Sequence, residues 1–262
     1  MVEKEKPFRD SAFCVIDFET TGFDPSAGHR ACEVALVRVA GGRVESAFTS
    51  LLCPSRAVPR DAAAVHGLTD KLLARAPSFG RIFPQVRQFA DGARLAAHNA
   101  LFDEAFLLSE AAAAGAPLPE TDVLDTLQLS RLIFPHEARH RLCDLAERLG
   151  VAPGIHSGLS DAVAMASALS AAFPILDGLG LSTSCLAPLS TRHIRRTMDE
   201  ARKAAASKAA VVVRRWWPRG AGQLRGRIEL ERRSDRFVVV RQDGLGAESV
   251  YASFVESLEE AS

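Results

Sequence analysis

The sequence predicts an α/β fold, in which a mixed sheet is flanked by helices and a small basic α+β module follows. Residues 13–18 form a short apolar run that is typical of a buried strand. Residues 33–39 and 43–52 are two further strand candidates, and Gly41-Gly42 between them favours a hairpin. Later in the chain, short strands alternate with helical segments, and this order indicates a mixed sheet covered by helices.

The later elements are predicted from apolar spacing and from the residues that end helices. Helical material around 68–73 and 82–89 is interrupted at Pro77, and the helix expected at 101–114 ends before Gly115 and Pro117. Further short strands are expected at 94–97 and 123–124, and further helices near 125–133, 139–149 and 159–173.

A change in composition divides the chain into three parts. Residues 174–188 are rich in Gly, Ser and Pro, which is typical of a linker. The predicted parts are therefore a domain at 1–175, a linker at 176–189 and a C-terminal module at 190–262. The module is expected to contain an Arg/Lys-rich helix at about 190–209, short strands at 211–217, 225–231 and 237–241, and one more strand or a short helix at 248–260.

The charges are distributed unevenly between these parts. The chain has 262 residues, with 32 basic and 32 acidic side chains, and 47% of its residues are hydrophobic. This composition excludes a fully disordered chain and a disulfide mini-scaffold. Residues 1–189 carry a net charge of −5, residues 190–236 carry +9 and residues 237–262 carry −4. The neutral total therefore does not exclude binding to nucleic acid.

Neither the cysteines nor the apolar segments indicate an extracytoplasmic or membrane protein. The five cysteines are scattered and form no C-x-x-C pair, so neither a zinc site nor a disulfide framework is expected. The mixed-charge N-terminus is followed by no apolar signal segment. No stretch is expected to reach the ~18 apolar residues of a membrane span. We therefore expect a cytoplasmic protein that is not bound to a membrane.

The strongest chemical signal lies at the end of the first predicted strand, in Asp17-Phe-Glu19-Thr-Thr-Gly22. Because side chains alternate along a strand, Asp17 and Glu19 point to the same face. Two adjacent carboxylates repel each other unless a cation lies between them, and Mg²⁺ or Mn²⁺ prefers such oxygen ligands. A solvated strand end without a ligand is the alternative explanation for this pattern when it occurs alone.

Two further acidic residues follow later elements. Asp103 lies in His98-Asn-Ala-Leu-Phe-Asp103, near the start of a helix, and Asp161 lies in His156-Ser-Gly-Leu-Ser-Asp161, also in a first helical turn. A carboxylate at either position also compensates the helix dipole. Together, the three segments supply four carboxylates and one histidine. Four carboxylates can hold two metal ions about 4 Å apart that assist phosphodiester hydrolysis, and a histidine can accept the proton of the attacking water.

Residues 12–173 resemble the DnaQ-like (DEDDh) 3′→5′ exonucleases, the family that includes bacterial polymerase proofreading subunits. The resemblance rests on D-x-E-T-T-G at 17–22, H-N-x-x-F-D at 98–103 and H-x-x-x-x-D-A at 156–162. The connecting segments 65–69, 125–127 and 142–150 are also similar. The resemblance implies an RNase H-like mixed sheet and hydrolysis of single-stranded ends to nucleoside 5′-monophosphates. It also implies two Mg²⁺ or Mn²⁺ ions as cofactors.

Individual roles follow from the same resemblance. Asp17, Glu19, Asp103 and Asp161 would be the metal ligands, and His156 would be the general base. Thr20 and the segment up to Phe23 would lie against the terminal nucleotide. His66 and Asp61 correspond to positions that contact the nucleotide, although a loop-organising role is the alternative for His66. His98 is expected to orient its loop rather than to bind metal.

The basic segment 190–236 has two alternative roles. It could supply phosphate contacts, with Trp216-Trp217 as a stacking surface, or it could dock onto a partner such as a polymerase or a repair complex. Its pattern of one helix and short strands faintly resembles small WYL-type β-barrel modules. The third interpretation is that this segment is a solvated cationic face with no ligand.

The function expected from the sequence is therefore a DNA 3′→5′ exonuclease in proofreading or repair. DNA is favoured over RNA because the motif spacing resembles proofreading subunits more than short oligoribonucleases. An RNA-processing exonuclease of the same fold is one alternative, and a non-catalytic nucleic-acid-binding regulator is the other.

Overall fold

The computed structural model describes residues 8–118, 121–155, 157–216, 223–231, 235–241 and 246–261. The chain divides into two compact units, Met1–Ser184 and Cys185–Ser262. The boundary falls within a short 3-10 helix, Thr183–Leu189. The segment predicted as a linker, 176–189, contains this helix and the end of the longer helix before it.

The first unit is built on the predicted mixed sheet. Its described strands form one five-stranded sheet in the order β3-β2-β1-β4-β5. The pairs β1–β2 and β2–β3 are antiparallel, whereas β1–β4 and β4–β5 are parallel. The strands are β1 (Phe13–Thr20), β2 (Ala31–Ala40), β3 (Arg43–Leu51), β4 (Arg94–Ala97) and β5 (Leu124–Asp125).

The hairpin predicted at Gly41-Gly42 is confirmed. Both glycines have positive φ values, 58° and 70°, which a two-residue turn between twisted strands requires and which glycine adopts without steric cost.

The helices of the first unit connect and cover these strands. They are α1 (Arg60–His66), α2 (Asp70–Leu73), α3 (Phe79–Ala90), α4 (Ala100–Ala113), α5 (Thr126–Ile133), α6 (Leu142–Arg148) and α7 (Gly158–Gly178).

The two faces of β1 pack against different helices. Cys14, Ile16 and Phe18 point to one face and belong to a core shared with buried side chains of α3 and α4. Phe13 points to the other face, where its ring lies 5.6 Å from that of Phe173 in α7. Since side chains alternate, Asp17 shares the face of Phe13 and points towards the side covered by α7. The fold therefore places Asp17 and Glu19 on the α7 side of the sheet.

Helix α7 is longer than its predicted range of 159–173. It continues through Pro174 to Gly178, and Phe173 and Leu176 on either side of this proline are buried. By length and composition alone the helix could cross a membrane, contrary to the expectation that no stretch reaches that length. Half of its apolar window is buried inside the protein, and it packs along β1, β2 and β3. This packing is that of a core helix on a sheet.

The second unit contains one helix and an antiparallel sheet. The described strands form a five-stranded sheet in the order β10-β6-β7-β8-β9. The tail predicted to form one more strand or a short helix forms two strands separated by a 3-10 turn, Ala252–Phe254. The elements are α8 (Thr191–Ser207), β6 (Ala210–Arg215), β7 (Gln223–Leu230), β8 (Arg236–Arg241), β9 (Ala247–Tyr251) and β10 (Val255–Glu260).

This second sheet is curled. Arg215 of β6 forms an ion pair with Glu248 of β9, although these two strands are not neighbours in the sheet. A Cβ atom at Gly226, in the middle of β7, would lie 2.1 Å from the carbonyl oxygen of Val240. Only glycine allows β7 and β8 to approach this closely. The predicted resemblance to WYL-type modules stays a prediction.

Candidate active site

Three of the four predicted metal ligands form one cluster. Asp17 and Glu19 lie near the carboxyl end of β1, and Asp161 lies in the first turn of α7. One carboxylate oxygen from each residue lies within 4.8 Å of the others. A strand and a helix separated by more than 130 residues of sequence thus bring three acidic groups to the same point.

Asp103 approaches the same strand from α4. Its Oδ1 accepts a hydrogen bond of 3.1 Å from the backbone N–H of Phe18. Strand β4 pairs with β1 only at residues 13–15, so the ladder on that side has ended and the N–H of Phe18 needs another acceptor. Asn99, with a φ of 66°, turns the chain sharply between β4 and α4. Asp103 is therefore fixed beside Asp17 by the backbone of the motif strand.

Mutual repulsion and burial disfavour the charged forms of these carboxylates. Burial, and then the charges of Asp103, Glu19 and Asp161, raise the pKa of Asp17 well above its ordinary range. Burial also raises the pKa of Asp103, against the opposing effect of its hydrogen bond from Phe18. Burial, followed by Asp161 and Glu33, raises the pKa of Glu19 from 4.5 to about 7. A group of acids that repel each other in this way is stabilised by a bound cation.

Glu33 is a fifth carboxylate at this site that the sequence did not indicate. In the β1–β2 ladder it lies directly opposite Glu19. Its Oε1 accepts a hydrogen bond of 3.0 Å from the hydroxyl of Thr49 in β3. A Cβ atom at Gly158, the first residue of α7, would lie 3.1 Å from the Glu33 carboxyl carbon. Glu33 thus contacts both the motif strand and the helix that carries Asp161.

A second glycine permits close packing next to Asp161. A Cβ atom at Gly154 would lie 1.7 Å from Asp161 Oδ1 and 2.9 Å from Asp161 Cα. The loop before α7 can therefore lie against this carboxylate only because residue 154 has no side chain.

The Thr-Thr-Gly segment after Glu19 forms a tight, hydrogen-bonded turn. The hydroxyl of Thr20 donates to the carbonyl of Gly22 at 2.6 Å. The hydroxyl of Thr21 accepts from the N–H of Arg30 at 3.0 Å and lies 3.2 Å from Nδ1 of His29. A Cβ atom at Gly22 would lie 2.3 Å from the His29 ring, which explains the glycine. Phe23, the next residue, is 90% exposed.

His66 lies beside this turn and helps to hold it. Its Nδ1 accepts from the N–H of Leu68 at 3.1 Å, so its Nε2 carries the proton and donates to the carbonyl of Thr20 at 3.3 Å. Partial burial lowers the pKa of His66, which favours its neutral form. Asp61 is exposed in the first turn of α1 and accepts from the N–H of Ala62. The substrate contacts expected of both residues stay predictions.

His98 orients its loop, as expected. Its Nδ1 lies 3.0 Å from the hydroxyl of Thr126, and its Nε2 lies 2.9 Å from the carbonyl of His140. Burial lowers its pKa to about 4, so the ring is neutral at physiological pH. These contacts connect the end of β4 with the segments around α5.

His156, the predicted general base, lies outside the described residues, as does Trp217. Its role stays a prediction. The flanking residues Ile155 and Ser157 are described, and Ser157 directly precedes the helix that carries Asp161.

The acidic cluster fits a hard divalent cation. Its donors are carboxylate oxygens, which are the ligands that Mg²⁺ and Mn²⁺ prefer. Three of them already lie within 4.8 Å of one another. Burial first, and then repulsion by neighbouring carboxylates, raises the pKa of Asp17 and of Glu19, and a bound cation would offset this repulsion.

Comparison with known proteins identifies the chain. The model of the exonuclease family (RNase_T) matches residues 14–169, which is more than half of the sequence. The chain belongs to the exonuclease family. Its similarity to a DNA polymerase III epsilon-like protein and to the exonuclease DinG places it in the DnaQ-like group.

Relatives of this exonuclease domain occur within longer bacterial proteins. The chain is 37% identical over 184 residues to a "DNA polymerase III subunit epsilon-like protein" of Rhodobacter capsulatus, covering 68% of this chain and 26% of that protein. It is 34% identical over 137 residues to "3'-5' exonuclease DinG" of Bacillus subtilis, covering 52% of this chain and 15% of that protein. The chain therefore spans only about a quarter of the first of these relatives and less of the second.

Solved structures confirm the RNase H-like exonuclease fold. Exonuclease X in complex with 5′ overhanging duplex DNA has a TM-score of 0.53 and 24% identity, covering 68% of this chain and 98% of that one. The nuclease domain of 3'hExo, a DEDDh family member bound to rAMP, has a TM-score of 0.57 and 19% identity, covering 66% of this chain and 96% of that one.

Proposed function

We propose that this nuclease is a metal-dependent 3′→5′ exonuclease that removes nucleoside 5′-monophosphates from single-stranded DNA ends. The observation that carries the proposal is the cluster of Asp17, Glu19 and Asp161, whose oxygens lie within 4.8 Å of one another. Asp103 bonded to the same strand completes the predicted set of four carboxylates. Proofreading or repair in the cytoplasm, with a DNA polymerase or repair complex as partner, is the biological role that we propose.

The chain's own residues would hold the ions and position the phosphodiester. Asp17, Glu19, Asp103 and Asp161 would bind two Mg²⁺ or Mn²⁺ ions. Bound there, such ions polarise the phosphoryl oxygens and stabilise the charge that develops on the leaving oxygen. Repulsion within the apo cluster favours this occupancy, because each ionised carboxylate raises the pKa of its neighbours. His156 would accept the proton of the attacking water.

The turn after β1 would receive the terminal nucleotide. Thr20 donates a hydrogen bond within this turn, and Thr21 accepts one from the N–H of Arg30, the residue before β2. Phe23 leaves this turn with 90% of its surface exposed, and a large exposed aromatic ring suits stacking on an unpaired base. His66, bonded to the carbonyl of Thr20, would keep the turn in this conformation.

The test is digestion of matched DNA and RNA strands with single-stranded 3′ ends, in Mg²⁺, in Mn²⁺ and in EDTA. We expect metal-dependent shortening of the DNA from its 3′ end, with mononucleotide products. Asp161→Asn should abolish it, whereas Asp177→Asn, an exposed position on the same helix, should retain it. Faster decay of RNA than of DNA would replace the proposal by an exoribonuclease. No turnover in Mn²⁺ would favour the non-catalytic regulator.

A further inference from the structure

Three arginines lie exposed on one face of the second sheet. We define the arginine face as Arg214 of β6 and Arg225 and Arg227 of β7, all of which are exposed. Between and beside them along β7, Leu224, Gly226 and Ile228 are buried. This strict alternation separates a buried face of β7 from a solvent-facing one.

The register places these arginines next to one another. Arg225 lies opposite Val212 of β6, and Arg227 lies opposite Ala210. Directly opposite residues of an antiparallel pair share a face, and Arg214 is two residues beyond Val212, so it points the same way. Neighbouring positions on one face of a strand are about 7 Å apart. The three guanidinium groups therefore belong to one continuous patch across two strands.

The arginine face lacks neutralising partners in the described structure. Other arginines of the same sheet are paired, since Arg215 bonds to Glu248 and Arg236 bonds to Glu231. Among the described residues, no carboxylate lies within 4.0 Å of the arginine face. Two exposed glutamates share its side of the sheet, Glu229 at the far end of β7 and Glu259 opposite Val212. The patch thus keeps positive charge that is available to an anion.

Trp216, one of the two tryptophans that the sequence suggested as a stacking surface, is held by contacts within the second unit. The Trp216 indole N–H donates to the carbonyl of Ser253 at 2.8 Å. Its ring meets Phe254 edge-on at 6.0 Å between centroids, and the residue is only partly exposed. Trp216 therefore helps to close the fold of the second unit. The arginine face offers contacts to phosphates and no described aromatic side chain that is free to stack.

We propose that the arginine face binds the phosphate backbone of a nucleic-acid strand, and this inference rests on the proposed nuclease function. A guanidinium fork forms paired hydrogen bonds to phosphate oxygens, and several of them along a strand follow a polyanion without reading its sequence. In protein interfaces, arginine hot spots are accompanied by aromatic anchors that fill pockets of the partner. Among the described residues of β6 and β7, Leu230 at the end of β7 is the exposed large apolar side chain.

The first measurement is binding of the full chain to a labelled oligothymidylate of about 20 nucleotides, by fluorescence anisotropy in EDTA, between about 50 and 200 mM salt. The test variant is Arg214→Gln/Arg225→Gln/Arg227→Gln. We expect its affinity to fall roughly 10- to 50-fold and the slope of log K against log salt to flatten by about 2, since three phosphate contacts are lost. Thermal unfolding of each variant checks that it is folded.

Two further variants decide the interpretation. Arg192→Gln/Arg196→Gln/Lys203→Gln removes three exposed charges from α8 and should leave affinity within about twofold of wild type. The variant Arg214→Lys/Arg225→Lys/Arg227→Lys should retain the slope of log K against log salt, because it keeps the three positive charges. An equal loss in the α8 variant, unchanged affinity in the glutamine variant, or loss of the slope in the lysine version would each overturn the proposal.

A separate readout distinguishes this inference from the proposed function. Hydrolysis of thymidine 5′-(p-nitrophenyl phosphate) by wild-type protein in Mn²⁺ reports on the acidic cluster and needs no long strand. Absence of turnover would count against the proposed function, while the binding experiment in EDTA would still decide on the arginine face. Unchanged binding of the glutamine variant, with normal wild-type turnover, would overturn the arginine face alone.

Discussion

Glu19 illustrates how a residue suited to metal binding destabilises the apo protein. Its pKa is about 7 in the folded chain and 4.5 as the ordinary value, first because it is buried and then because Asp161 and Glu33 are close. The folded state thus retains a proton that the unfolded chain releases. The contribution of this retained proton to the free energy of unfolding is fully present below pH 4.5, and it is lost as the pH rises to about 7.

Glu19→Gln should consequently raise the melting temperature of the metal-free protein by a few degrees at pH 8 and hardly at pH 4. The same substitution should reduce the stabilisation by Mg²⁺ and the nuclease activity, because a ligand oxygen loses its charge. Differential scanning fluorimetry over a pH series, with Glu147→Gln at an exposed position as control, tests this. An equal shift at both pH values would mean that packing, and not charge, is responsible.

His156→Ala tests the predicted general base. Because the ligand set consists of carboxylates, Mg²⁺ binding should persist while turnover falls about 10²- to 10⁴-fold. Wild-type activity should rise with pH through the histidine pKa, ordinarily about 6.5, and the variant should lose this limb of the profile. Single-turnover kinetics and calorimetric titration with Mg²⁺ measure the two quantities. Wild-type turnover in the variant at neutral pH would disprove the assignment.

Some residues of the site could be predicted from the sequence, and others could not. Asp17 and Glu19 are predictable because strand alternation puts positions i and i+2 on one face. Glu33 was missed, since it lies in an apolar strand and faces Glu19 only through the β1–β2 register. The stacking role predicted for Trp216-Trp217 stays a prediction, and the contacts of Trp216 with Ser253 and Phe254 could not be foreseen because those residues lie almost 40 positions later in the chain.

At the scale of elements, α7 and the loop before it hold Asp161 in place. The helix packs along three strands of the sheet, so its first turn is fixed relative to β1. The loop closes against Asp161 at Gly154. Glu33 contacts the same helix start at Gly158.

Gly154→Ala should therefore displace Asp161, because the new methyl group would lie 1.7 Å from its Oδ1. We expect kcat/KM to fall roughly 10- to 100-fold, the loss typical of a displacement of about 1 Å, and Mg²⁺ affinity to fall with it. Gly178→Ala is the matched control, since a Cβ atom at this helical residue would meet no neighbouring atom within 4 Å. It should retain activity and gain up to about 1 kcal/mol of stability. If Gly154→Ala had wild-type kinetics, the loop would have moved to accept the methyl group without displacing Asp161.

Element boundaries were predictable where local signals end a strand or helix. The hairpin at Gly41-Gly42 follows from the positive φ that such turns require. The end of α7 was missed because Pro174 is a poor helix residue, while the burial of Phe173 and Leu176 favours continuing the helix. Tertiary packing outweighed local propensity at this position.

At the scale of the whole molecule, the carboxylate cluster and the arginine face lie in different units. The segment 1–189 carries a net charge of −5 and contains the four motif carboxylates, and two bound divalent ions would change its charge by about +4. The arginine face lies in the second unit, within the segment that carries +9. The zero net charge of the chain is a sum over parts with different tasks.

Residues 1–184 produced alone should fold and hydrolyse thymidine 5′-(p-nitrophenyl phosphate), because this unit contains the carboxylate cluster and its supporting sheet. Affinity for long single strands should drop roughly tenfold or more and depend less on salt, since the basic segment is removed. Circular dichroism, turnover and anisotropy check these outcomes. Failure of the fragment to fold would show that the first unit depends on the second.

The acidic motifs, their order, the antiparallel hairpin and the division of charge along the chain could all be predicted from the sequence. These features are local, because they depend on residue types within a few positions or on sums over segments. Tertiary structure alone decided the contact of Glu33 with the site, the close approach at Gly154 and the common face of Arg214, Arg225 and Arg227. Each of these depends on strand register or helix packing between distant segments, which no local pattern encodes.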